Sequence, residues 1–228
     1  MNEPIHLDLF SGIGGFALAA QWNGYRTVGF CERDEYCQAV LRKHFPRVPI
    51  HGDIRELDGK QYRGVDILTG GFSCQPFSHT GKQKGKEDDR YLWPEMLRII
   101  QQAQPTFILG ENVAGIINLA LDQVLFDLEG AGYTAQPFII PACAVDAPHR
   151  RDRVWIVAYA NNISCHSGKQ GKSRESELLQ AGKEAFNTAS FACHLHSAPI
   201  RCRGELRYCS SLCKGLPFSY AYPFILAA

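Results

Sequence analysis

Ile5-His6-Leu7-Asp8-Leu9-Phe10-Ser11-Gly12-Ile13-Gly14-Gly15-Phe16 is the stretch whose reading decides the fold. Its first six residues read as a strand, Ser11 to Gly15 as a glycine-rich turn, and the apolar run from Phe16 to Trp22 as a helix. Asn23-Gly24 supplies a C-cap for that helix. Strand, glycine turn and helix in this order let backbone N–H groups approach a ligand closely, because glycine carries no Cβ. The glycine spacing is not that of the dinucleotide fingerprint.

Working outward, Thr27 to Cys31 reads as a second strand that ends in Glu32-Arg33-Asp34. Glu32 lies about 20 residues after the glycine turn, where an acidic residue accepts hydrogen bonds from both ribose hydroxyls of a nucleotide. A solvated loop glutamate or a helix cap is the alternative. Asp34 is placed to cap a helix from Glu35 to Phe45, with Cys37, Val40, Leu41 and His44 on one packing face. Val48 to His51 is a short strand followed by Gly52-Asp53-Ile54. Asp53 either holds an amino group of a bound base or caps a turn.

A further strand, Val65 to Thr69, runs into Gly70-Gly71-Phe72-Ser73-Cys74-Gln75-Pro76-Phe77-Ser78. A thiol at the mouth of a parallel strand sits where α/β proteins place their chemistry, although most free cysteines are small buried hydrophobes. The charged, glycine-containing segment Lys82 to Arg90 suits a solvated loop or a lid over a phosphate backbone. Helices are expected over Leu92 to Gln102 and Leu119 to Glu129, and strands over Thr106 to Gly110, Tyr133 to Ile140 and Val154 to Ala158. Glu111-Asn112-Val113 forms a polar cluster at a strand end. Arg151 and Arg153, two apart, share one face if the chain there is extended. Strands alternating with helices up to residue 160 imply a doubly wound α/β sheet.

Composition bounds what such a fold can be doing. A hydrophobic content of 45% and a charged content of 21% are ordinary for a globular chain. No apolar run is long enough to span a bilayer and no secretory leader precedes Leu7, which predicts a cytoplasmic protein with no membrane partner. Nine cysteines, an odd number without an export signal, argue against a disulfide framework. The net charge of +1 is unevenly spread: residues 161–228 hold eight Lys/Arg against four Asp/Glu, which leaves −3 on the first 160.

Five blocks, in order, resemble the DNA (cytosine-5) methyltransferase family. Asp8-Leu9-Phe10-Ser11-Gly12-Ile13-Gly14-Gly15-Phe16 is similar to its cofactor turn, and Gly52-Asp53-Ile54 to its adenine-contact block. Gly70 to Ser78 resembles its nucleophile loop, Glu111-Asn112-Val113 its Glu-Asn-Val block, and Pro148-His149-Arg150-Arg151-Asp152-Arg153-Val154 its arginine block. The resemblance implies a mostly parallel sheet of the S-adenosylmethionine-dependent methyltransferase type over residues 1–160. It makes S-adenosylmethionine the cofactor, with Phe10, Gly12, Ile13, Gly14 and Gly15 as pocket floor. Glu32 would take the ribose, Asp53 and Ile54 the adenine, and Gly71 and Leu92 the methionine end.

The same resemblance implies the chemistry. Cytosine C5 is a poor nucleophile until a thiolate adds at C6, and Cys74 would be that thiolate. Glu111 would hold and protonate N3, while Arg151 and Arg153 would stabilise O2 and the thiolate. Phe72, Gln75, Ser78 and Asn112 are placed on the substrate side. The substrate implied is a cytosine flipped out of double-stranded DNA, in a restriction-modification system with a cognate restriction endonuclease. A tRNA cytosine methyltransferase, and a catalytically weak remnant that binds cofactor or nucleic acid, are the competing functions.

Three departures stand out. Ser73 occupies the position where the family most often has proline, and His149 replaces a glutamine of the arginine block. The family's closing blocks are not found in residues 161–228, which read either as a small irregular basic recognition lobe or as a truncated or altered C-terminal part. Cys193, His196, Cys209 and Cys213 are loosely spaced, so free thiols are expected there and no metal site.

Overall fold

The computed structural model describes residues 3–72, 91–145 and 147–161. Along the chain run β1 (Ile5–Leu9), α1 (Gly15–Trp22), β2 (Arg26–Cys31), α2 (Glu35–His44), β3 (Ile50–His51) and β4 (Ile67–Gly70). They are followed by α3 (Trp93–Ala103), β5 (Phe107–Val113), α4 (Leu121–Gly130), β6 (Tyr133–Pro141) and β7 (Asp152–Ala160). The seven strands form one sheet in the order β3-β2-β1-β4-β5-β7-β6. Strands β1 to β5 pair in parallel, whereas β7 is antiparallel to both β5 and β6. The reason lies in the connections. α-Helices cross between most of the parallel strands and the long segment 52–66 leads from β3 to β4, but only Ala142 to Arg151 separate β6 from β7, too short a connection for a parallel crossover.

The strand order reverses between β1 and β4, and the glycine turn that follows β1 opens at that switch point. Both faces of the sheet are covered. On one, Leu7, Leu9, Leu68 and Ile108 join Met96, Ile99 and Ile100 of α3 and Val124 and Leu128 of α4 in the main core. On the other, Phe16, Ala19 and Ala20 of α1 meet Ile67, Leu109 and Trp155. Alanines at the contact let α1 lie close to the strands. Each leucine fully removed from water here contributes roughly 1.5–3 kcal/mol.

Most expected elements fall within a residue or two of their places, with three corrections. Glu111-Asn112-Val113 lies inside β5 and not beyond its end, because antiparallel β7 carries the ladder on to Val113 and Arg153. The helix expected from Leu119 begins at Leu121, after a 3-10 turn over Ala114–Asn118. His44 is exposed, so the packing face of α2 is Cys37, Val40 and Leu41. The boundary expected near residue 160 and the C-terminal segment fall at and beyond the end of the described residues. No helix among the described residues is long and apolar enough to cross a membrane.

Candidate active site

The turn after β1 is built by backbone conformation. Phe10, Gly12 and Gly14 adopt left-handed φ values of 55°, 53° and 94°. Such a conformation costs a non-glycine residue of order 1–3 kcal/mol, and strain of this kind concentrates at functional sites. Gly14 is doubly required, since a Cβ there would lie 2.9 Å from a methyl carbon of Leu41. Ser11 fastens the turn: its hydroxyl donates to the Asp8 carbonyl at 2.8 Å and its N–H to the Cys31 carbonyl at 3.2 Å. Ile13 projects outward, 62% exposed, and open space lies where a Cβ of Gly12 would point.

Glu32 is held by this turn. Its Oε2 accepts from the Gly12 N–H at 2.7 Å and its Oε1 from the Asp34 N–H at 2.8 Å. Fixed by one bond to each oxygen, the carboxylate keeps lone pairs free for hydroxyl donors. An open pocket of about 540 Å³ is lined by Glu32, Arg33, Asp34, Glu35 and Tyr36. Asp53 follows β3 and caps its own turn, Oδ1 accepting from the Arg55 N–H at 3.0 Å. Ile54 is buried at 4% exposure. Leu92 is partly buried and packs against the main core just before α3.

A buried polar network under the turn was not legible from spacing. Asp8, His6 and Thr69 are all fully buried. The Thr69 hydroxyl donates to Asp8 Oδ1 at 2.7 Å, so it must accept from His6 Nε2–H at 2.8 Å. His6 Nδ1 then accepts from the Thr27 hydroxyl at 3.0 Å. Burial lowers the His6 pKa to about 3 and raises that of Asp8 to about 7. The Asp8 proton belongs on Oδ2, which has no hydrogen-bond partner among the described residues.

A second cluster sits at the end of β5. Glu111 Oε1 is 2.8 Å from Arg153 Nε, both side chains being about three-quarters buried or more. Burial raises the Glu111 pKa, and Arg153 and then Arg151 pull it back. The two arginines reach this carboxylate differently from the alternation expected of an extended segment. Arg151 is exposed, precedes β7 and has φ 30°, so only Arg153 belongs to the strand.

Gly71 approaches this carboxylate closely: a Cβ there would lie 3.3 Å from Glu111 Oε2. Asn112 Nδ2 donates to the Phe72 carbonyl at 2.9 Å, and the Phe72 ring lies 5.1 Å from that of Trp93. Phe72 and Asn112, expected on the substrate side with Asn112 also helping to position the loop around Cys74, are each only 3% exposed and contact protein. Asn112 thereby holds the backbone at Phe72, the last described residue before Cys74. Cys74, Gln75 and Ser78 lie outside the described residues, as do Lys82 to Arg90 and the C-terminal cysteines. Among the cysteines described, Cys31 is buried at 3% exposure, and burial first, and then Asp53 and Glu32, push its pKa up to about 12, away from the thiolate form.

Comparison with known proteins gives this geometry its context. The family model for C-5 cytosine-specific DNA methylases matches residues 6–192. The Type II methyltransferase M.Eco47II of Escherichia coli is 36% identical over 166 residues, covering 69% of this chain and 40% of that protein. M.HhaI of Haemophilus parahaemolyticus is 33% identical over 163 residues, covering 69% of this chain and 50% of that one. The chain thus spans half or less of the length of these relatives. Among solved structures, a DNMT2 variant from Spodoptera frugiperda matches with a TM-score of 0.60 at 25% identity, covering 75% of this chain and 54% of that one. The extent of the family match and the identity to these relatives establish that the chain belongs to the C-5 cytosine-specific DNA methylase family.

Proposed function

We propose that the chain transfers a methyl group from S-adenosylmethionine to C5 of a flipped-out cytosine in DNA. The observation that carries this reading is the clasp at the end of β5. Glu111 and Arg153 are paired beside Gly71, and Asn112 grips Phe72, two residues before Cys74. The acid and the cation thus lie at the strand end from which the chain runs on to Cys74.

The residues at the glycine turn fit the cofactor. Glu32 offers two anchored carboxylate oxygens for ribose hydroxyls, and the open space over Gly12 admits a ligand against the backbone. Phe10, Ile13, Gly14 and Gly15 complete the floor, Asp53 and Ile54 meet the adenine, and Gly71 and Leu92 bound the methionine end. Asp53 must exchange its bond to the Arg55 N–H to do so, or share it. When bound, the cofactor supplies the electrophilic methyl group that C5 accepts.

Cys74, as thiolate, forms a bond to C6 of the target base. The electron pair of the C5–C6 double bond shifts towards the ring, and Glu111 donates its proton to N3. Its raised pKa keeps a proton on that carboxyl at higher pH than an exposed glutamate would hold one. Arg153 and Arg151 face the charge that builds at O2. Once C5 carries the methyl group, a solvent water takes the C5 proton, the electrons of that C–H bond re-form the C5–C6 double bond as Cys74 leaves as thiolate, and the N3 proton returns to Glu111. Gln75 and Ser78 flank the nucleophile on the substrate side. The Type II methyltransferase names of the relatives support a place in a restriction-modification system, and a cytoplasmic location beside a cognate endonuclease is part of the same proposal.

The test is covalent trapping on duplexes containing 5-fluorocytosine with cofactor present, alongside methyl transfer from labelled cofactor to duplex DNA and to tRNA. The expected result is a DNA adduct that Cys74→Ala abolishes. Label entering tRNA alone would replace DNA as the substrate. No adduct on any duplex and no transfer would leave a cofactor- or nucleic-acid-binding remnant.

A further inference from the structure

Arg98 lies in the middle of α3, where a helical arginine is ordinarily a solvated side chain. Here every N–H of its guanidinium has an acceptor. Nε donates to Glu95 Oε2 at 2.8 Å, and Nη1 to the Leu57 carbonyl at 2.9 Å and Gln102 Oε1 at 3.2 Å. Nη2 donates to the Ile54 carbonyl at 2.6 Å and, more weakly, to the Arg55 carbonyl at 3.5 Å. Guanidinium has five N–H donors in a rigid fork, so the group is fully used.

Three of those acceptors are main-chain carbonyls of one turn, the turn that begins at Asp53. Its other fastenings point the same way. Ile54 and Leu57 are buried at 4% and 2% exposure. The Gly59 N–H donates to Gln102 Oε1 at 2.8 Å, and a Cβ on Gly59 would meet Gln102 and the Ile99 carbonyl at 3.0–3.1 Å. Glu95 and Gln102, three residues before Arg98 and four after it, brace the guanidinium. The Glu95 and Gln102 pairs lie along α3, but the three carbonyl bonds reach out of the helix to another segment. They hold the 54–59 turn at a set height against α3, and α3 is fixed in turn by the Trp93 indole N–H donating to Asp127 of α4 at 2.8 Å.

We propose that Arg98 is a positioning residue for the cofactor: by clamping the carbonyls of Ile54 and Leu57 it sets where Asp53 and Ile54 meet the adenine. This rests on the assignment of the cofactor site above. Charge-assisted bonds to neutral carbonyls are the strong kind, and truncating the guanidinium leaves those acceptors and the braced Glu95 unpaired. The turn then samples other positions and binding must select the right one, which lowers apparent affinity.

The experiment titrates the full chain with S-adenosylhomocysteine by calorimetry, for the unsubstituted protein, Arg98→Lys, Arg98→Ala and the control Lys43→Ala, exposed in the last turn of α2. Amide hydrogen exchange is followed in the same proteins. The expected result is a Kd weakened about 10- to 100-fold in Arg98→Ala, less in Arg98→Lys, and unchanged in the control. Exchange should speed up at Glu56 and Gly59 while Leu7 and Leu68 in the sheet stay protected. Binding of Arg98→Ala within twofold of the unsubstituted chain overturns the proposal. So does loosening spread through the sheet, since a general loss of stability would then explain the affinity. Failure of the unsubstituted chain to bind sinks the cofactor assignment and the adenine role with it. Even then, unchanged exchange at Glu56 and Gly59 would separately show that no clamp exists.

Discussion

Asp8 and His6 are two titratable groups in one sealed network, and their effects on stability have opposite signs. His6 is driven from 6.5 to about 3, so between those values the unfolded chain binds a proton that the native one does not, and stability rises with pH. Asp8 is driven from 3.8 to about 7, so across that window the native chain holds the extra proton and stability falls as pH rises. From pH 3.8 to 6.5 the two slopes cancel. Above 6.5 only the Asp8 loss remains. Asp8→Asn keeps an oxygen for the Thr69 hydroxyl and removes one titration, so the His6 slope should emerge. Its stability should climb by on the order of 4 kcal/mol from pH 3 to 6.5, measured by urea unfolding at fixed pH intervals and compared with the flatter profile of the parent. Equal slopes in the two proteins would mean that Asp8 does not hold its proton through this range.

At the scale of elements, what could be read from the sequence was what local chemistry dictates. The β1–turn–α1 unit follows from glycines at positions with left-handed φ, and Asp34 caps α2 through the Cys37 N–H at 2.8 Å, as its place before Glu35 implies. Contacts made between distant segments were not legible. β5 runs through Glu111 only because β7 pairs with it, and Arg98 looks like any surface arginine until the 54–59 turn is folded against it. Tyr62 is another such case. It lies across β2 at Gly29, where a Cβ would come within 2.5–2.7 Å of its ring and hydroxyl, and its hydroxyl is 2.7 Å from His51 Nε2. Gly29→Ala must displace that ring and break its bond to the end of β3. The expected cost is about 1–3 kcal/mol in urea unfolding. Tyr62→Ala removes the obstruction, so Gly29→Ala made in that background should cost much less, a coupling that a double-mutant cycle reads directly. Additive losses would show that the clash is relieved some other way.

Over the whole chain the charge is divided unevenly along the sequence. The first 160 residues carry −3 and residues 161–228 carry +4. Arg153 is already committed to Glu111, and Arg98 to the 54–59 turn and Glu95. Neither is free to neutralise phosphate. If the chain acts on DNA as proposed, the late cations, with Lys82, Lys84 and Lys86 that follow Cys74 in the sequence, are the expected phosphate contacts. Each phosphate neutralised releases counterion and adds about 0.9 to the slope of log Kobs against log salt. Replacing Arg201, Arg203 and Arg207 with glutamine should therefore flatten that slope by up to about 0.9 per residue in duplex binding followed over a salt series. The same change at Arg42 and Lys43, exposed in the last turn of α2, should leave it unaltered. Flattening from the α2 set with none from the late arginines would mean that DNA lies across the α2 face and that the late basic segment does not form its contact.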